Sequence, residues 1–109
     1  MSLIYLASPY SHDDPTVRQS RFEAVTAKAA ELFRAGTLVF SPITHCHPIA
    51  AAHSLPTNIR FWESYCRRML MHCDELYVLQ LPGLGESAGV ALEVNFALSI
   101  STPITYINP

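Results

Sequence analysis

The sequence predicts an α/β domain: three layers, α/β/α, around a mainly parallel sheet of four to five strands. Short apolar runs that suit strands buried on both faces, above all Leu76 to Leu81, alternate with stretches whose apolar residues recur at helical spacing. Glycines, prolines and N-capping residues punctuate the boundaries between the two patterns. The resulting order, β-α-β-α-β-α-β, has no repeat, linker or low-complexity tract. Such alternation winds into a parallel sheet with right-handed crossovers and helices on both faces. At 109 residues the chain is sized for one core, so 1–109 is read as a single domain.

Leu3 to Ala7 is the first strand, ended by Ser8-Pro9 and a polar loop through Asp14. Asp14 suits an N-cap and Pro15 the first helical position. Phe22, Val25, Ala29, Leu32 and Phe33 make the apolar stripe of that helix, and Gly36 closes it. Thr37 to Phe40 is the second strand. Ser41 to Pro56 holds two internal prolines and three histidines without a clear period, and is expected to be a long loop that is functional or shields something. Thr57 is expected to cap a second long helix with Trp62, Tyr65, Cys66, Met69, Leu70 and Cys73 on its inner face. Pro82, Gly83 and Gly85 end the third strand. From Ser87 onward Val90, Ala91, Val94, Ala97 and Leu98 define a third helix, and Thr105 to Ile107 offers a last strand. This is the layout of flavodoxin-like and Rossmann-like domains.

Half of the residues are apolar and 15% are charged, which leaves apolar surface to bury against other copies of the chain. A net charge of -2 with no basic stripe argues against a nucleic-acid polymer as partner. M-S-L-I-Y-L lacks the features of a signal peptide, and no apolar run approaches the roughly 20 residues that cross a bilayer, so no membrane is expected. Cys46, Cys66 and Cys73 are odd in number with no paired spacing and read as reduced thiols, as in a cytoplasmic protein.

The chemistry centres on Glu93. In an open parallel sheet, ligands bind where strand ends face helix N-termini, and Glu93 lies one turn into such a helix. No Lys or Arg follows Arg68, so the carboxylate has no obvious ionic partner. Gly89 one turn before it and Ala97 one turn after leave space, and the helix dipole favours its ionised form. A charged carboxylate over a pocket suits attack at a sugar carbon; a helix Glu facing solvent is the plainer alternative. Ser87 with the amides of Ala88 and Gly89 can hold an anion, or Ser87 can simply cap the helix. Tyr5, Ser8 and Tyr10 cluster at the end of the first strand, and Tyr10, after a proline in a polar loop, suits stacking on a base. Arg18 and Arg21 are either solvated or within reach of an anion in the pocket. His45, Cys46, His47 and His53 have no recognised zinc spacing, and neighbours on an extended chain point to opposite sides. A pocket lining that includes His45 suits them better than a metal.

These residues resemble the nucleoside 2-deoxyribosyltransferases and their relatives that hydrolyse nucleoside 5′-monophosphates. The likeness covers nearly the whole chain: I-Y-L-A-S-P-Y at the first strand, C-D-E-L-Y-V-L at the third, and S-A-G-V-A-L-E running into the third helix. The last is similar to the family signature S/D-x-G-x-x-x-E. The resemblance implies that Glu93 is a nucleophile forming a glycosyl-enzyme at C1′, that Tyr5 orients it, and that Ser87 and Gly89 hold the sugar's 5′ end. Ser rather than Asp at position 87 favours a phosphate there. It also implies a homodimer or larger assembly and no cofactor. The chain departs from the family at Cys66, where relatives often carry an Asp that helps hold the substrate and manage the leaving base's proton; Glu63 and Glu86 are the carboxylates nearest in sequence.

The expected activity is therefore cleavage of the N-glycosidic bond of a small nucleoside or nucleotide, by hydrolysis or transfer. A nucleotide-binding or sensing domain without catalysis is the second reading, and a metal protein built on His45, His47 and His53 the third.

Overall fold

The computed structural model describes residues 2–109. Four strands form one all-parallel sheet: β1 (Leu3–Ala7), β2 (Leu38–Phe40), β3 (Glu75–Leu79) and β4 (Ile104–Ile107), in the order β2-β1-β3-β4. Four helices accompany them: α1 (Pro15–Arg34), α2 (Pro42–His53), α3 (Ile59–Leu70) and α4 (Ala88–Ser99). The sheet has four strands, and the fold is the α/β class that the alternation predicted. β1 and β3 are neighbours, so the chain reverses its direction of winding between them. That junction is where such sheets bind ligands.

Two cores sandwich the sheet. Because successive side chains of a strand alternate between faces, Tyr5 and Ala7 join α3 and α4 through Cys66, Leu70, Val90 and Ala97. Ile4 and Leu6 join α1 through Val25 and Ala29. β3 feeds both, with Leu76 and Val78 on one side and Leu79 on the other, which is why its run reads as continuously apolar. Phe33 departs from the expected stripe and lies more than half exposed at the end of α1.

The helix ends follow their local chemistry. Asp14 Oδ1 accepts from the Thr16 amide at 2.9 Å and Pro15 takes the first helical position. α1 closes on Gly36, whose positive φ of 87° lets Thr37 N–H reach Leu32 O and Gly36 N–H reach Phe33 O. Asn58, rather than the preceding Thr57, caps α3 by accepting from the Phe61 amide at 3.1 Å.

The largest departure from expectation is Ser41 to Pro56, which is mostly helix rather than loop. Ser41 Oγ caps α2 at the Thr44 amide and Pro42 occupies the first turn, where its missing N–H costs nothing. Pro48 lies inside the helix and gives up one backbone bond. α2 packs on α1 and β1, with the Thr26 and Thr44 hydroxyls 2.8 Å apart.

Gly83 in the β3–α4 connection has φ of 92°, and a Cβ built there would meet the Arg21 guanidinium, which donates to the carbonyls of Ser11 (3.1 Å) and Pro82 (3.4 Å). Gly83→Ala is expected to destabilise the protein by about 1–2 kcal/mol, read as a lowered Tm; an unchanged Tm would mean that the connection relaxes freely.

Candidate active site

A cleft opens at the carboxyl end of β1. The segment after β1 contributes Ser8, Tyr10 and Ser11, and α2 contributes Ile43, Cys46, His47 and Ala50. The start of α3 adds Asn58, Ile59, Trp62 and Cys66, and the start of α4 adds Ser87, Gly89 and Glu93. α2, α3 and α4 each put their first turn into the lining, so the cleft gathers helix N-termini as well as side chains from further along.

Glu93 is 8% exposed, and the Tyr5 hydroxyl donates to its Oε2. No cation pairs with it among the described residues. Burial pushes its carboxyl up to about 7, while the hydrogen bond from Tyr5 pulls the other way. The spacing points to the helix dipole, which favours the ionised form; burial works against that form, and near neutrality the carboxyl is poised between its two states. Tyr5 is completely buried, and burial together with the Glu93 charge holds its hydroxyl well above the ordinary tyrosine value, so it remains a donor.

The thiol of Cys66 lines the same recess. Burial, and then the Glu93 carboxylate, push it up to about 12, so it is a neutral group. No acid stands in its place: Glu63 is outside the lining, and Glu86 faces a second cleft. Cys46 and Cys73 are likewise free and buried, each pushed up to about 11 by desolvation.

Ser8 is 5% exposed and its Oγ has no protein partner, although the residue lines the cleft. A buried hydroxyl without a bond is costly and marks a place for an incoming polar group. Ser87 Oγ accepts from the Val90 amide at 3.2 Å, so the capping role is present, at the mouth of the cleft. At Gly89 a Cβ would make only ordinary contact with Ile59, at 3.6 Å, so the glycine keeps the cleft wide rather than averting a clash.

The structure brings Ser8, Tyr10, Cys66, Ser87 and Gly89 to Glu93 and Tyr5, but not His45. On an extended chain His45 and His47 share a side; on helix α2 they do not. His45 is exposed, with Nδ1 3.3 Å from the Tyr65 hydroxyl. His47 takes the cleft position instead, its Nδ1 2.6 Å from the Tyr10 hydroxyl. The Ser41-Pro42 pair, a cap followed by a first-turn proline, was the signal that could have placed it. Nor do His45, His47 and His53 converge: His47 is bonded through both nitrogens, His53 is exposed at the far end of α2, and no group of three His, Cys, Asp or Glu side chains gathers among the described residues.

Arg18 donates to the carbonyls of His12 and Asp13, and its charge also reaches Tyr10 and His47. Arg21 borders the second cleft with Ser11, Gly83 and Ser87; Ser11 and Ser87 also line the main cleft, so the two adjoin. No helix is long and apolar enough to cross a membrane among the described residues.

Residues 2–108 match the family model described as "Domain of unknown function (DUF1937)", and the chain belongs to that family. No curated protein matches it.

Proposed function

We propose that this family member cleaves the N-glycosidic bond of a small nucleoside or nucleoside 5′-monophosphate, with Glu93 as the nucleophile. The observation that carries the reading is the Glu93 carboxyl itself: buried, without an ion pair, bonded to Tyr5 and facing a cleft. Burying an unpaired carboxyl is costly, and a carboxyl so placed at a cleft is the mark of a group kept for chemistry rather than for packing. The apolar lining of Ile43, Ala50, Ile59 and Trp62 suits a planar base. Ser87 at the start of α4, with Arg21 beyond it, suits a 5′-phosphate.

In the first displacement an ionised Glu93 oxygen bonds to C1′ while the C1′–N pair leaves with the base, which takes a proton from solvent. Tyr5 holds the attacking carboxylate in place. In the second displacement water or another base attacks C1′ and returns the electron pair to Glu93, with net retention. No cofactor is required.

The test is to incubate the protein with the common ribo- and deoxyribonucleosides and their 5′-monophosphates and to follow free base by chromatography. Base release dependent on the protein is expected, with the monophosphates preferred. The neutral thiol at Cys66 favours one rival, a nucleotide sensor that binds without turnover. Calorimetric binding of a monophosphate with no base released would establish that rival and end the glycosidase reading.

A further inference from the structure

Tyr10 and His47 form a pair in the cleft that attack by Glu93 does not use. His47 Nε2 lies 2.9 Å from Oε1 of Gln19. An amide oxygen only accepts, so Nε2 carries the imidazole proton and Nδ1 is the acceptor. Tyr10 therefore donates to Nδ1 across 2.6 Å; its oxygen has the Arg18 guanidinium as a donor on one side and a second lone pair for a group in the cleft. Phe22 stacks on the imidazole at 4.4 Å, which fixes the plane of the ring. Three separate segments hold this chain of bonds: Tyr10 follows β1, Gln19 and Phe22 lie on α1, and His47 lies on α2.

We infer that the Tyr10–His47–Gln19 chain activates water for the second displacement and so makes the protein a hydrolase rather than a transferase. This rests on the glycosyl-enzyme reading above. In a retaining reaction water enters on the face that the base has vacated. The water oxygen bonds to C1′ as the C1′–O bond to Glu93 breaks, the electron pair returning to the carboxylate. The water proton passes to the Tyr10 oxygen, and the Tyr10 proton passes to His47 Nδ1. The imidazolium keeps its Nε2–H on Gln19 and then loses the extra proton to solvent. Burial, with the Arg18 charge adding to it, holds His47 below the ordinary histidine value, so near neutrality it is free to accept. The other titratable group beside the pair, the Cys46 thiol, is neutral.

Rapid-quench kinetics on the nucleoside 5′-monophosphate that wild type cleaves fastest tests this. Tyr10→Phe and His47→Gln are expected to release about one equivalent of base per site at close to the wild-type rate. Steady turnover then falls by about 100-fold, with a glycosyl adduct on Glu93 visible by intact mass. Glutamine keeps a hydrogen-bonding group next to Tyr10 but cannot take up a proton, so restored turnover in His47→Gln would reduce the pair to a structural role. Unchanged turnover in both variants, or an equal loss of the first base-releasing step, also overturns the relay while leaving the Glu93 assignment standing. If wild type releases no base from any monophosphate, the glycosidase reading and the relay fall together.

Discussion

Glu93→Gln is expected to abolish base release, by at least about 10⁴-fold, while making the protein more stable. The loss follows because an amide oxygen is too weak a nucleophile to form the ester at C1′. The gain follows from linkage. Burial raises the carboxyl from 4.5 to about 7, a preference for the neutral form worth about 3 kcal/mol. A group raised in the folded state stabilises fully below its unfolded value, here near pH 4.5. That contribution is lost as the pH climbs through about 7. Glutamine is neutral throughout and close in shape. The variant and wild type should therefore unfold alike at pH 4, and the variant should be more stable by up to about 3 kcal/mol at pH 8. Urea denaturation at both pH values checks the second half and the base assay the first. Equal stability at pH 8 would show that Glu93 is solvated, and turnover by the variant would remove it as nucleophile.

Tyr5→Phe is expected to lower kcat/KM at pH 7 by roughly 10- to 150-fold, the effect of losing a hydrogen bond to a charged group worth about 1.5–3 kcal/mol. The hydroxyl is the one bond that favours ionised Glu93. Without it the carboxyl rises further, and the rate, which in wild type increases with pH through about 7, increases only at higher pH. The pH profile separates positioning from ionisation. A deficit that narrows toward pH 9 identifies Tyr5 as the group that keeps Glu93 charged; a deficit constant with pH would limit Tyr5 to holding geometry.

Much of this site could be read from residue order. The S-A-G-V-A-L-E stretch puts a serine at a helix start and a glutamate one turn later, and Ser87 and Glu93 lie where that spacing sets them. The strand pattern placed Tyr5 and Ser8 at the sheet's carboxyl end, and the sheet order put β1 beside β3. Two things were hidden. One was α2, because Pro48 and the histidines obscure any amphipathic period; taking the segment as extended turned His45 inward and overlooked His47. The other was the charge state of Glu93. Spacing reports the helix dipole, but desolvation depends on what Tyr5 on β1 and Trp62 and Cys66 on α3 jointly exclude, and both elements are distant from Glu93 in the sequence.

The sheet also dictates an order of assembly. β1 is one of its two inner strands, yet its partner on one side arrives late: Leu3 N–H bonds Asp74 Oδ2 across a separation of 71 residues. With every pairing parallel, there is no hairpin from which the structure can nucleate locally. A growing polypeptide would thus leave the ribosome with Ile4, Tyr5 and Leu6 still wet until β3 emerges, and folding should be slow and concerted for a molecule of this size.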